Sequence, residues 1–359
     1  MVGAVTALSG PLAFIGNALK GGSAAYYDYV NAHGGINGHK IVFYPMDDGN
    51  SANQALTATH QLVQQDHVVA ISGWVLTNLE SAVEPYAQRQ NVVMMAQGCD
   101  PTIASAANKV VFCAGLPETI EATPLVDFAA SKAGSTTPKV AVIDMNSEAQ
   151  VALQNTLVSD FQAKHWPVVS KQLISLSSTD ETAQANAVVQ SGATMVVGSM
   201  DSEREQLFVQ ALKAAGSSIP VINFDAGASL PIMKQLDYPN LYVYSPFSYP
   251  SDTTPGVAAY NAAMKAAGQD GSAAFAVNGY GEAVAIVAAL KACGYPCTPS
   301  KMVQTMTSLG SVNTNGLTTG PMLYSSSYRY GLTGGKFYAW SASAGKPVPV
   351  SGFIKIPGA

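Results

Sequence analysis

Several polar residues and one tryptophan follow the apolar run VVAISG, which ends at Gly73. The residues after it include Trp74, Thr77 and Asn78. If a helix begins here, its first N–H groups and the Thr77 hydroxyl can bind a carboxylate, because a helix N-terminus favours an anion by roughly 0.3–1 kcal/mol. Alternatively, Thr77 and Glu80 form a capping box and Trp74 belongs to the core. The stretch therefore predicts either an anion-binding turn or an ordinary helix start.

The next apolar run, VVMMA, is followed by Gln97, Gly98, Cys99 and Asp100. Ligands of open parallel sheets bind beyond the carboxyl ends of the strands, so this stretch belongs to the same candidate site. An aspartate repels a carboxylate and suits an ammonium or hydroxyl group better. Asp100 therefore points to a ligand that also carries a donor.

Further candidates follow apolar runs in the second half of the chain. Glu148 follows KVAVID, Met200 follows MVVGS and Asp225 follows PVINF. Asp225 can hold an ammonium group or cap a short helix. Tyr280, at the start of the helical segment GYGEAVAIVAAL, reaches a ligand or lies on the buried face of that helix.

The composition argues against a nucleic-acid partner and against a membrane span. The net charge is -5 with no Lys/Arg cluster, and the longest apolar stretch, AVAIVAAL, is far shorter than the roughly 20 residues of a transmembrane helix. No nucleophile elbow, HExxH, P-loop or CxxC motif is present, and the five histidines are dispersed. We expect no enzyme activity, no cofactor, no metal and no nucleic-acid partner.

The four cysteines fall into two local pairs. Cys293 and Cys297 bracket CGYPC, while Cys99 and Cys113 flank one loop between two strand-like runs. Two local disulfides suit an exported protein, and four buried free thiols are the alternative. Because no secretory signal is seen before the first strand, we expect either a cytoplasmic protein or one whose signal was removed.

The dominant pattern is the alternation of apolar strand-like runs with helical segments. One series fills about residues 1–115 and a second begins at Lys139. Such alternation predicts α/β structure with parallel sheets covered by helices. Beyond residue 244 come two helical segments and then short runs, GPMLYSSSYRYG and KFYAWSASAG, typical of hairpin strands. This last part completes the two earlier domains.

The segment from residue 31 to 73 has clear local signals. Gly34 and Gly35 end a helix, and Asn37-Gly38 turns the chain into the next strand. Asp47 and Asp48 close that strand with loop and capping duties. Ser51-x-x-Gln54 predicts a capping box on the following helix.

Together, SGPLAFIG, NAHGGINGHKI, MDDGNSANQA, VVAISG and NGYGEAVAIVAALKACG resemble the type I periplasmic solute-binding proteins of ABC transporters. The leucine/isoleucine/valine-binding branch is the most similar. The resemblance implies two Rossmann-like lobes joined by a three-segment hinge, with a ligand cleft between them. We expect one lobe at residues 1–117 and 247–326, and the other at 118–246 and 327–359.

The resemblance also implies a role and a set of ligand-binding residues. The chain would capture a small polar ligand, an amino acid or a related compound, by closure of the lobes, and deliver it to permease subunits. Aromatic acids, amides and polyamine-like cations stay open, as does a sensory role. We expect a monomer outside the cytoplasmic membrane, either free in the periplasm or lipid-anchored. The ligand-binding residues would be Phe14, Ile15, Trp74, Thr77, Asn78, Gly98, Cys99, Asp100, Glu148, Met200, Asp225 and Tyr280.

Overall fold

The computed structural model describes residues 1–99, 102–105, 107–226 and 230–359. The chain forms two compact units. The first unit consists of Met1–Pro117, Asp252–Thr333 and Gly358–Ala359, and the second consists of Glu118–Ser251 and Gly334–Pro357. The crossings placed by sequence after residues 246 and 326 lie a few residues before these changes of unit.

Residues 1–117 alternate between strands and helices. The elements are β1 (Val2–Thr6), α1 (Ala13–Ala32), β2 (Phe43–Asp47), α2 (Ala52–Gln64), β3 (Ala70–Ser72), α3 (Thr77–Gln90), β4 (Val93–Ala96) and β5 (Val111–Cys113). The strands form a parallel sheet in the order β2-β1-β3-β4-β5. All residues of β1, β3, β4 and β5 are buried, as expected for a sheet with covered faces.

Residues 118–251 repeat this alternation. The elements are α4 (Glu118–Lys132), β6 (Val140–Met145), α5 (Glu148–Ala163), β7 (Val168–Ile174), α6 (Thr182–Gln190), β8 (Met195–Asp201), α7 (Ser202–Ala214), β9 (Val221–Ala226), α8 (Leu230–Leu236) and β10 (Leu241–Ser245). The strands run parallel in the order β7-β6-β8-β9-β10. The predicted α/β class is confirmed.

The remaining residues complete both units. The elements are α9 (Pro255–Ala266), α10 (Ala276–Cys293), α11 (Pro299–Thr307), β11 (Gly310–Val312), β12 (Met322–Tyr324), β13 (Gly331–Leu332), β14 (Gly334–Ser341), β15 (Lys346–Pro349) and β16 (Ile354–Lys355). The two predicted hairpins are confirmed as β12–β13 and β14–β15, which both pair antiparallel. Strand β14 also pairs antiparallel with β10. Among the described residues, no helix combines the length and apolarity of a membrane span.

In each parallel sheet, successive strands are added first on one side and then on the other, so the strand order reverses between two inner strands. In the first unit the order reverses between β1 and β3, and in the second between β6 and β8. Loops that leave the carboxyl ends of two such strands diverge to opposite sides and leave a crevice, where open α/β sheets bind their ligands. The residues after β1, β3, β6 and β8 therefore form the candidate crevice of each unit.

Helices α1 and α10 of the first unit pack at backbone contact distance through glycines. A Cβ atom on Gly279 would lie 2.0 Å from the carbonyl oxygen of Leu19, and one on Gly22 would lie 2.0 Å from that of Ala276. Ser23 Oγ also donates to the Gly279 carbonyl at 2.8 Å. This close approach fixes the position of α10 against α1.

Both predicted disulfides are present. Cys99 bonds to Cys113 and Cys293 bonds to Cys297, with Cα–Cα distances of 5.5 and 5.7 Å. The first bridge ties the loop after β4 to the end of β5, the neighbouring strand. The alternative of four free thiols is therefore wrong for this structure.

The helix starts differ from two sequence predictions. Ser51 is the N-cap of α2, but its side chain accepts no capping hydrogen bond, and Gln54 Nε2 donates instead to the carbonyl of Asp47. The N-cap of α3 is Leu76 and Thr77 is its first residue, so Thr77 and Glu80 do not form a capping box. The sequence thus correctly placed Ser51 and Thr77 at helix starts, but the capping hydrogen bonds predicted for their side chains are not formed.

Candidate functional site

The loop after β1 is held by the strand next to it. Asp47, at the end of β2, accepts hydrogen bonds from the backbone N–H of Leu8 at 2.9 Å and from Ser9 Oγ at 2.6 Å. Burial opposes the ionisation of Asp47, but its hydrogen bonds from Ser9, Gly49 and Leu8 outweigh it and lower its pKa. An ionised Asp47 therefore fixes the loop at the first crevice.

Two sequence-predicted residues follow this loop in the first turn of α1. Phe14 is half-buried, whereas Ile15 is buried among the residues of the first unit. Phe14 thus keeps surface for a ligand. Ile15 contributes to packing, and we do not include it in the candidate site.

The loop after β3 carries Trp74. This residue is fully buried, and its carbonyl accepts hydrogen bonds from the backbone N–H groups of Gln97 and Gly98, both at 3.2 Å. Its indole Nε1 has no hydrogen-bond partner within the described part of the chain. A buried donor of this kind costs about 1–3 kcal/mol unless water or a ligand satisfies it.

The start of α3 leaves backbone donors without a capping side chain. Its N-cap, Leu76, has no side-chain oxygen. Of the first two residues of the helix, Thr77 is half-buried and Asn78 is exposed. The first N–H groups of a helix have no partner within the helix itself. In α3 the N–H groups of Leu79 and Glu80 donate to the Leu76 carbonyl, so those of Thr77 and Asn78 are available to an acceptor, together with the Thr77 hydroxyl.

Residues after β4 lie against the first turn of α3. A Cβ atom on Gly98 would lie 2.8 Å from Glu80 Oε1 and 3.5 Å from Thr77 Cγ2, so a larger residue here would displace the Glu80 carboxyl group. Cys99 has a left-handed φ of 50° and is held by its disulfide. Its backbone N–H donates to the buried Glu80 Oε1 at 3.2 Å.

The structure thus brings together Trp74, Thr77, Gly98 and Cys99 at the carboxyl ends of neighbouring strands. We call residues 73–80 with 97–99 the β3–β4 edge. Asp100, predicted to join them, lies outside the described residues. The edge is rich in hydrogen-bond donors, which suits a ligand with acceptor oxygens.

The second unit has a polar network at its own crevice. Ser147 caps α5 by accepting from the Gln150 backbone N–H at 3.4 Å, and Gln150 Nε2 donates to Ser199 Oγ at 3.1 Å. The backbone N–H of Ser199 donates to Asp144 at 2.9 Å. Burial raises the pKa of Asp144 to about 8, and the bonds from Ser199 and Gln154 only partly offset it.

The other predicted residues of the second unit have different surroundings. Glu148 is the first residue of α5 and is exposed, so it can meet a ligand. Met200 is buried in the hydrophobic core, and its backbone N–H donates to Asn223 Oδ1 at 2.8 Å. Asp225 lies on β9 opposite Met200, and its side chain is not among those described.

Tyr280 is placed by the structure in the interior of the first unit. It lies one turn inside α10, which begins at Ala276, and its ring contacts those of Tyr26 and Tyr260 at centroid distances of 4.7 and 5.1 Å. Burial raises its pKa, and the neighbouring Tyr26 adds to this. Of its two sequence interpretations, the structure places Tyr280 on the buried face.

Sequence reasoning missed two residues that shape these sites. Glu80 belongs to the β3–β4 edge and accepts the Cys99 backbone N–H there, and Asp144 accepts the Ser199 backbone N–H at the crevice of the second unit. Glu80 was visible only as the last position of a capping motif, and Asp144 only as the polar residue of the run KVAVID. Among the described residues, no group of three or more His, Cys, Asp or Glu side chains is arranged to hold a metal ion.

Comparison with known proteins gives one family. A family model described as "Periplasmic binding protein" matches residues 1–328. The Leu/Ile/Val-binding protein homolog 3 of Brucella melitensis is 30% identical over 115 residues, which are 31% of each chain. The chain thus matches about a third of the length of this curated relative.

Solved structures share the fold over nearly the whole chain. A branched-chain amino acid ABC transporter protein from Thermus thermophilus with bound valine superposes with a TM-score of 0.85 and 16% identity, covering 99% of this chain and 96% of that chain. A solute-binding protein of R. palustris in complex with 4-hydroxybenzoate gives 0.80 and 20%, with the same coverage. At such identities the likeness shows the fold alone.

Proposed function

Because the chain belongs to the periplasmic binding protein family, we propose that it is the solute-binding component of an ABC importer. It captures a small organic ligand outside the cytoplasmic membrane and presents it to permease subunits. The protein performs no covalent chemistry. Binding of micromolar affinity, about 8 kcal/mol, meets the need of such a component.

The observation that carries this proposal is the donor-rich β3–β4 edge. Three kinds of donor at this edge can bind an acceptor: the N–H groups of the uncapped first turn of α3, the Thr77 hydroxyl and the buried Trp74 indole N–H. A hydrogen bond from such groups to a charged acceptor contributes about 1.5–3 kcal/mol. Two or three of them, with apolar contact from Phe14, supply micromolar affinity.

The ligand we propose carries a carboxylate or a carbonyl group, with an amino acid as one option and an aromatic acid as another. The two structural relatives named above bind valine and 4-hydroxybenzoate, each of which has a carboxylate. For an amino acid, Asp225 and Asp100 are the proposed partners of the ammonium group. Glu148 adds a further negative charge, which also suits a ligand with a positive end.

A thermal-shift screen tests this function. Ligand-stripped protein is screened against amino acids, aromatic acids, their amides, sugars and polyamines. A ligand present at about a hundredfold excess over its Kd stabilises the folded state by about 2.7 kcal/mol, a shift of several degrees in a chain of this size. A shift with acids or amides supports the proposal, and the absence of a shift with all classes contradicts it.

The substitution Thr77→Val tests the site. Valine keeps the shape of threonine but loses the hydroxyl donor, so the Kd of a ligand found in the screen should rise about 10- to 100-fold. The matched control is Thr57→Val on the exposed face of α2, where the hydroxyl donates only to the carbonyl of Asn53. Equal affinities of the two variants, measured by calorimetry, would place the ligand elsewhere.

A further inference from the structure

Arg204 connects two loops at the crevice of the second unit. It lies in the first turn of α7, after β8, and its Nη2 donates to the carbonyl of Leu176, in the loop after β7, at 2.5 Å. In the sheet, β6 lies between β7 and β8. The Arg204 side chain therefore spans the carboxyl end of β6, where the crevice of this unit begins.

The loop after β7 is also tied to the residues that follow β6. The backbone N–H of Asn146 donates to the carbonyl of Ile174, the last residue of β7, at 2.7 Å. Two residues after Asn146, the exposed Glu148 begins α5. We call residues 175–181 the β7–α6 loop. This loop bridges the two sides of the crevice, because Asn146 holds its start on one side and Arg204 holds it on the other.

Two acidic residues fix the direction of the Arg204 guanidinium. Nη1 lies 2.9 Å from Glu203 Oε2 and 3.4 Å from Asp201 Oδ2, and Asp201 also accepts the Arg204 backbone N–H at 2.9 Å. Arg204 and Asp201 are each 5% exposed, so water has little access to these contacts. With Nη1 bound to the carboxylates, Nη2 points at the β7–α6 loop, a fork geometry that arginine provides and lysine lacks.

A buried acid at the end of the β7–α6 loop is close to the same cation. Glu181 is 1% exposed, and neither of its carboxyl oxygens has a hydrogen-bond partner among the described residues. The Ser178 hydroxyl donates instead to the Asp180 carbonyl at 3.2 Å. Burial raises the pKa of Glu181, and Ser178 and the positive charge of Arg204 partly offset this. Arg204 therefore stabilises the loop both through the Leu176 carbonyl and through its charge.

We propose that Arg204 is a positioning residue for ligand binding: it holds the β7–α6 loop in place and so sets the distance between the residues after β6 and those after β8. Arg204 acts without touching the ligand. Its effect passes through the loop and Asn146 to the start of α5, where Glu148 is a proposed ligand-binding residue. This inference rests on the proposed function, because the shape of the crevice affects binding only if the protein captures a solute there.

The substitution Arg204→Lys separates this role from the charge of the residue. Lysine keeps a positive charge near Glu181, but its single ammonium group cannot bind the carboxylates and the Leu176 carbonyl in the geometry of the guanidinium. We expect faster amide exchange in residues 175–182 and a Kd that rises on the order of 3- to 30-fold, with little change in overall stability. A purely structural role would lower the stability and leave the Kd of the folded protein unchanged.

The experiment combines three measurements on the full chain. Isothermal titration calorimetry gives the Kd of L-valine and of 4-hydroxybenzoate, hydrogen–deuterium exchange follows residues 175–182, and urea unfolding gives the stability. The proteins are the wild type, Arg204→Lys and the control Lys213→Met. Lys213 lies in the last turn of α7, and its Nζ donates to the Leu236 carbonyl at 2.7 Å. The control thus removes a bond from a cation to a carbonyl at the opposite end of the same helix.

A higher Kd together with faster exchange of the β7–α6 loop in Arg204→Lys, with neither change in Lys213→Met, supports the inference. An unchanged Kd, an unchanged exchange rate of the loop, or faster exchange throughout the second unit with a matching loss of stability overturns it and leaves the proposed function standing. Binding of neither probe to the wild type overturns both.

A second variant keeps the test decisive if Arg204→Lys does not fold. Glu203→Ala removes only the exposed partner of Nη1, whose side chain is 50% exposed, so the fold should tolerate it. Its Kd and its loop exchange rate should rise by a smaller factor in the same direction. Wild-type values of both in Glu203→Ala would then overturn the inference.

Discussion

At neutral pH, the substitution Asp144→Asn should increase the free energy of unfolding, and in acid it should decrease it. The Asp144 carboxyl is fully buried in β6, where it accepts hydrogen bonds from the Ser199 backbone N–H at 2.9 Å and from Gln154 Nε2 at 3.3 Å. Burial raises its pKa from 3.8 to about 8. The native state therefore holds a proton that the unfolded chain releases.

The sign and size of the effect follow from these two values. A group with a raised pKa contributes its full stability below its unfolded pKa, here 3.8, and loses it as the pH rises through about 8. At about pH 7 the loss is on the order of 4 kcal/mol, because each pH unit above the unfolded pKa costs 1.36 kcal/mol. Asparagine carries no such proton.

Asparagine also has a cost. Its Oδ1 can accept from Ser199 as Asp144 does, but its NH2 group would meet the donating amide of Gln154. An unsatisfied buried donor costs about 1–3 kcal/mol. Asp144→Asn should therefore gain about 1–3 kcal/mol near pH 7 and lose about the same near pH 4.

Urea unfolding at both pH values measures this difference. The control is Asp127→Asn, whose carboxylate is 64% exposed and lies 4.0 Å from Lys164; a surface ion pair of this kind contributes at most about 1 kcal/mol. An Asp144→Asn effect of equal size and sign at the two pH values would show that Asp144 ionises in the folded protein as it does in water. That result would refute the reasoning.

Two further predictions concern packing and cross-links. Gly279→Ala should destabilise the first unit by about 1–3 kcal/mol or more, because its new Cβ would force α1 and α10 apart, and thermal unfolding measures it. Replacing Cys99 and Cys113 by serine should cost about 3 kcal/mol, against about 2 kcal/mol for Cys293 and Cys297, because the bridges close loops of 14 and 4 residues. Urea unfolding compares the two double variants.

Controls separate these effects from general damage. Gly134→Ala introduces a Cβ with no atom within 4 Å and should leave the melting temperature nearly unchanged. If Gly279→Ala behaves in the same way, the helices are not at backbone contact distance. If the two disulfide variants lose equal stability, loop length does not set the contribution of the bridges.

The fold could be predicted well because its signals are local and repeated. Strands such as β1 are buried on both faces and therefore read as continuous apolar runs. The Asn37-Gly38 turn was equally legible: both residues have positive φ and the flanking Ile36 and His39 form the β-bridge of a hairpin turn. The strand order within each sheet, in contrast, depends on contacts distant in sequence.

The candidate site could be predicted only in part. Thr77 and Gly98 follow strand ends, and topology alone brings them together. The burial of Tyr280 could not be predicted, because the direction of its side chain depends on the residue at which α10 begins. Sequence periodicity does not determine that residue. The spacing of Thr77 and Glu80 favours a capping role for Glu80, because a sequence does not reveal that a charged side chain is fully buried.

The two hydrogen bonds that the Trp74 carbonyl accepts have a consequence for the ligand selectivity of the proposed site. Because this one oxygen accepts the N–H groups of Gln97 and Gly98, and the disulfide of Cys99 holds the same loop, the loops after β3 and β4 are tied to each other, and we call them the ledge. The ordering entropy of that ledge is spent during folding rather than on each encounter with a solute. A preorganised surface of this kind binds a ligand of complementary shape tightly and discriminates against ligands that differ slightly from it. New ligand preferences would therefore arise by exchanging side chains on the ledge while its backbone stays the same.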